Sequence, residues 1–163
     1  MSLGEGGTSE VDFDTIRGRN WPSVTQFSVF LENRVGQLLE VARAFQGSKV
    51  KIVGLTISDA ADCSILRLML SHPEQGREIL GLQKLAFAEN ELLVTELPSG
   101  PSSLSDLCVA LLRAEINIFY AYPLLVHPHG RPAVAIHVDN IEQASVTLHS
   151  MGFEILCEAD LSL

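Results

Sequence analysis

An α+β protein is predicted, built from two βαββαβ units whose sheets join side by side into eight antiparallel strands with the helices on one face. Three observations carry this. Apolar periods of 2 and of 3.6 succeed one another as strand, helix, strand, strand, helix over residues 26–85. The same order returns after Ser103. At one constant offset of 66, Leu38 matches Leu104, Ala44 matches Ala110, Ile52 matches Ile118 and Phe87 matches Phe153. Four identities spread over three different elements at one spacing mark a duplication rather than a composition bias. The unit is ferredoxin-like, a fold that hosts many functions, so the chemistry has to be sought in particular residues.

Residues 1–23 carry Gly4, Gly6 and Gly7 among scattered acids, show no period and end at Trp21-Pro22; they read as a flexible arm. The first unit is expected over residues 24–90 and the second over 91–163. In residues 26–31, Phe27, Val29 and Leu31 alternate with Gln26 and Ser28, which makes a strand. Leu38, Leu39, Val41, Ala42 and Phe45 then form a helical stripe that Gly47 stops. Residues 50–58 and 63–71 are β-rich runs separated by the turn residues Asp59 and Asp62, hence a hairpin. Pro73 and Glu74 suit the first turn of a helix that carries Ile79, Leu82 and Leu85 inward. Residues 87–97 are extended and have two roles to fill, closing the first unit and opening the second, with a bend expected near Asn90. In the second unit a helix is expected to about Glu115, strands over 117–126 and 132–138, a helix over 141–151 and a last strand over 153–158.

Composition bounds the function. Of 163 residues 47% are apolar and only 19% charged, with mean hydropathy +0.24, so a real core forms without metal or disulfide. A net charge of -9 with no basic cluster repels phosphate backbones and anionic bilayers, which excludes nucleic acid and membrane surfaces as partners. The apolar runs are too short to span a bilayer and no signal core precedes Trp21, so the chain is expected in the cytoplasm. Cys63, Cys108 and Cys157 have no paired spacing and read as reduced, buried small hydrophobes. No cofactor is expected.

The segment Leu31-Glu32-Asn33-Arg34-Val35-Gly36-Gln37-Leu38 delivers a strand into a helix N-terminus. Free N–H groups and the helix dipole there suit a carboxylate, Gly36 lets a ligand approach the backbone, and the Asn33 amide both donates and accepts, as a zwitterion requires. The alternative is that Asn33 only caps the turn and Gly36 only bends it. These residues resemble the start of an ACT domain, whose usual pattern is Asp/Asn-Arg/Lys-Pro-Gly-x-Leu, and residues 89–98 with 116–122 are similar to the matching stretch of small tandem ACT proteins. The resemblance spans about residues 24–160 and implies regulatory binding of an amino acid at the seam between two units. Carried over by position, it implies Asn33, Arg34, Val35, Gly36, Gln37 and Leu38 from the first unit with Asn117 and Ile118 from the second; Leu31 stands where some relatives have His. The seam's mate, the 99–102 loop with Lys51, puts Ser102 at the position of Gly36 and replaces an amide by a cation, so one site per chain is expected.

Two rivals remain open. A metal-dependent enzyme would use His127, His129 and His137, with Asp139 beside them. A structural dimerisation module would bind nothing. Ser102-Ser103 reads as a helix cap rather than a nucleophile. With no further domain recognised, output is expected through association, as a homodimer or larger assembly, and Phe30, Leu93, Tyr120 and Tyr122 are expected on the helix-free face that would mediate it.

Overall fold

The structure, a computed structural model, describes residues 21–162, so nearly all of the expected arm lies outside the described residues. The elements follow as β1 (Val24–Leu31), α1 (Gln37–Ala44), β2 (Ile52–Asp59), β3 (Ser64–Leu70), α2 (Pro73–Leu82), β4 (Ala86–Glu96), α3 (Ser103–Arg113), β5 (Ile118–Pro123), β6 (Ala133–Val138), α4 (Ile141–Ser150), β7 (Ile155–Leu156) and α5 (Glu158–Leu161). The duplication reaches local detail: Ile52 and Ile118 each open a strand, and each strand shifts register two residues on, at Gly54 and at Tyr120. A bulge repeated at the same offset twists both edge strands alike.

The sheet has seven strands rather than eight, in the order β2-β3-β1-β4-β6-β5, with β7 paired to β4. One segment fills both roles expected of it. β4 runs straight through Asn90; residues from Ala86 to Leu92 pair with β1, and Leu93 to Glu96 pair with β6. β7 pairs with Val94 and Thr95, where β6 already occupies one edge, so β7 continues the line of β1 on the other. The last strand is only two residues long because Cys157 caps α5, its backbone N–H donating to Asp160 Oδ2 at 2.8 Å.

Apolar side chains of the outward set bury beneath the helices. Phe27, Val29, Leu31, Leu66 and Leu68 pack with Val41 and Leu80 in the first unit, and Leu93, Val134 and Ile136 pack with Leu107, Leu111 and Leu148 in the second. The helix-free face is not flat and open. It curls on itself around a third core of Val24, Val53, Met69, Leu92, Val94, Tyr122, Leu124 and Leu156, which Leu161 of α5 plugs. Of the residues expected on an open face, Leu93 lies under the helices, Tyr122 is buried in the curl, Tyr120 is half-buried, and Phe30 alone is exposed. The physical reason is sheet twist: seven strands coil until their two edges meet. That contact is the isolated antiparallel bridge between Gly54 and Leu124, with Leu125 N–H donating to Val53 O at 2.8 Å.

Candidate functional site

Gly36 is the N-cap of α1 at φ +89°, the left-handed region, and a Cβ there would meet nothing within 4 Å. Glycine therefore sets the turn and leaves the backbone open to approach. No side chain caps α1, so the N–H groups of its first turn face outward at the positive end of the dipole. Val35 is fully exposed beside them. Arg34 is committed elsewhere: its Nη1 and Nη2 donate to Glu40 at 3.1 and 3.0 Å and its Nε to Glu32 at 3.3 Å. The Glu40 bonds hold the guanidinium above its ordinary pKa. It shapes the loop rather than offering a free cation.

The two edge strands form the seam between the units. They touch at Gly54 and Leu124, and among the described residues no second pair forms between them. Continued in register, with one residue taken up by the bulge before Tyr120, the bridge would set Asn117 level with Ala60, just past the end of β2. Asp59, the last residue of β2, pairs with Ser64, which also pairs with Leu31, so the loop after β1 leaves the sheet at the same parted end. β1 and β2 flank β3, which keeps the loop and the seam roughly 10 Å apart. Asn117 and Ile118 and the Asn33–Leu38 loop thus share one end of the curl without a mutual hydrogen bond among the described residues. Asn117 is fixed by its main chain, which donates to Asp139 Oδ1 and accepts from Asp139 N–H, both at 3.2 Å, and its side chain is exposed.

Sequence reasoning missed the polar floor of the curl. Gln26 is wholly buried; its Nε2 donates to Tyr120 OH at 2.8 Å and its Oε1 accepts from Tyr122 OH at 2.7 Å, which ties the first unit to the second. Arg67 lies 4.3 Å from the Tyr120 ring centre and also donates to Ser58, and Tyr120, His137 and Phe119 continue the stack at 4.8 and 5.1 Å. Burial and then the Arg67 charge push His137 below the ordinary imidazole pKa, while burial raises the Tyr122 phenol. The only signal in the sequence was the pair Gln26 and Ser28 alternating with apolar residues in β1, which a solvent-facing strand shows equally.

The histidines of the metal rival are dispersed. His137 sits in this stack, His127 is exposed, and His129 Nδ1 and Nε2 contact Glu96 Oε1 at 2.6 Å and Asp160 Oδ1 at 3.3 Å. Among the described residues no group of three His, Cys, Asp or Glu side chains is arranged to hold a metal. Ser102 is the N-cap of α3, but its hydroxyl donates to Asp106 Oδ2 at 3.0 Å instead of accepting from the helix backbone. The cysteines are unpaired yet not buried as expected, Cys108 being exposed on α3. No described helix is long and apolar enough to cross a membrane.

The family model of the ACT domain pair matches residues 22–163. This chain belongs to the ACT domain pair family. The match covers both units, so the seam is a junction between two ACT units of one chain. Among solved structures, protein BT0572 from Bacteroides thetaiotaomicron is 25% identical with a TM-score of 0.79, over 88% of this chain and 99% of its own. The regulatory subunit of aspartate kinase from Thermus thermophilus shares the fold at 10% identity and TM-score 0.54, over 80% of this chain and 92% of its own. Aspartokinase alpha and beta subunits do so at 13% and 0.52, over 77% and 90%. No curated protein matches.

Proposed function

We propose that this ACT domain pair is a regulatory protein that binds a free amino acid at the parted end of the seam. The observation that carries the reading is the meeting of β2 and β5 at Gly54 and Leu124, with the strands unpaired toward the end that bears the uncapped start of α1 and Asn117. In this reading the ligand carboxylate takes the N–H groups of Gln37 and Leu38, and the amides of Asn33 and Asn117 take the rest of the zwitterion. A ligand there bridges elements of both units, so its binding energy favours one spacing of the seam over another. That difference is the regulatory signal, passed on through a homodimer or larger assembly. Exposed Ile57 and Phe119 along the unpaired strands supply apolar surface for such an assembly.

A thermal-shift screen of the purified chain against the common L-amino acids tests it. One or a few should raise Tm, since ligand at 100 times its Kd stabilises by about 2.7 kcal/mol. Light scattering with and without that amino acid should report a change in mass. No shift with any amino acid would overturn the reading.

A further inference from the structure

The seam leaves unused a cavity of about 270 Å³ at the other end of the curl, lined by Glu96, Pro98, His129, Arg131, Phe153 and Glu154 among others. Neither Lys51 nor the 99–102 loop lines it, so it is not the seam's mate. Its inner wall is a carboxylate. The Glu96 side chain is 6% exposed; Oε1 accepts from His129 Nδ1 at 2.6 Å, and Oε2 has no donor among the described residues. Oε2 is not among the buried unpartnered atoms of the described residues, so it is open to the water of the cavity, which an N–H donor can replace. Arg131 lines the same cavity on an exposed loop and makes no ion pair among the described residues. Opposite charges thus line one cavity without an ion pair between them among the described residues.

We infer that this cavity is a second binding site, for a small zwitterion whose ammonium group takes Glu96 Oε2 and whose carboxylate takes Arg131. The charges sort the ligand. A lone amine would meet the Arg131 cation and a lone carboxylate would meet Glu96 and Glu154, whereas a molecule with both groups satisfies each. His129 fixes the wall: Glu96 holds one ring nitrogen and Asp160 of α5 the other. The same short helix reaches the first unit, because Glu158 Oε1 accepts from the backbone N–H and hydroxyl of Thr25 at 3.1 and 2.7 Å. Occupancy of the cavity is therefore linked by side chains to β1. The inference does not depend on the seam reading.

The test follows His129 imidazole signals by proton–nitrogen NMR, assigned against a His129→Gln variant. The probes are the common L-amino acids, β-alanine and γ-aminobutyrate, with ethylamine and acetate as half-ligands. At least one zwitterion should move the His129 signals, with each half-ligand binding about tenfold weaker or worse. Glu96→Gln and Arg131→Gln should each weaken it by a similar factor, and Asn33→Ala should leave it unchanged. Arg131 is exposed, so that variant tests the site even if Glu96→Gln fails to fold. Silence of the His129 signals with every probe, or equal affinity in Arg131→Gln, overturns the inference; loss in Asn33→Ala alone would assign the binding to the seam instead.

Discussion

Gly54→Val probes the closure of the curl. A Cβ at Gly54 would lie 2.9 Å from Leu124 Cδ2, 3.3 Å from Tyr122 Cε2 and 3.5 Å from Met69 Cβ, and valine adds two methyl groups beyond it. Overpacking of this kind costs about 1–3 kcal/mol. Forcing Leu124 aside also strains the adjoining bond from Leu125 N–H to Val53 O, with a net worth of about 1 kcal/mol. Against this, replacing a strand glycine relieves roughly 0.5–1 kcal/mol of backbone entropy. The net expectation is a loss of about 1–3 kcal/mol, read as a lower urea midpoint with little change in slope. Leu124→Ala in the same chain opens room for the valine, so the double variant should be more stable than the sum of the single losses, by about 1 kcal/mol or more. A Gly54→Val protein as stable as the parent, or strict additivity in the cycle, would refute the claim that the edges close by direct contact at this glycine.

Tyr122→Phe removes the donor to the buried Gln26 Oε1 and should cost about 1–3 kcal/mol in the same urea titration, because Gln26 has no exposure through which water could replace it. His137 has a folded pKa below the unfolded value of about 6.5, so the unfolded chain binds its proton first as pH falls. Stability is expected to be full above about pH 6.5 and to decline below it, and His137→Phe should flatten that part of the pH profile. Thr25→Val deletes the hydroxyl bond to Glu158 and should speed amide exchange in α5 more than in β4, measured by hydrogen–deuterium exchange.

The outer faces of the units were legible because they obey simple periods. Phe27, Val29 and Leu31 alternate in β1, the helix stripes pack on them, and an offset of 66 aligned two bulges that no local pattern reveals. Strand number was not legible, since nothing local tells one long shared strand from two short ones meeting at Asn90; pairing partners on opposite edges decide it. The inner face misled for a different reason. Gln26 looks solvent-facing until the sheet coils and brings Tyr120 and Tyr122 across to satisfy it, and Ser28 bonds in turn to Gln26 and Asn90. Curling is a collective effect of twist over seven strands, with its last step permitted by the absent side chain of Gly54. At the candidate site, the role of Gly36 in the turn was readable, whereas Arg34 spends its charge on Glu40, a partner six residues on in the first turn of α1 that the motif does not show. The Glu96, His129 and Asp160 cluster joins three distant segments, and only the tertiary fold creates it.

The reading of the seam as an amino-acid site is tested most directly by calorimetric titration of the amino acid selected by thermal shift, in an Arg131→Gln background that silences the second cavity. The parent, Asn33→Ala, Asn117→Ala and Lys51→Ala are compared. About one ligand per chain should bind the parent, and each asparagine variant should lose about 1–3 kcal/mol, a factor of roughly 5 to 150 in Kd, because a paired amide contact to the zwitterion is gone. Lys51→Ala should bind like the parent. Undiminished affinity in both asparagine variants, or two equivalent sites per chain, would contradict the account.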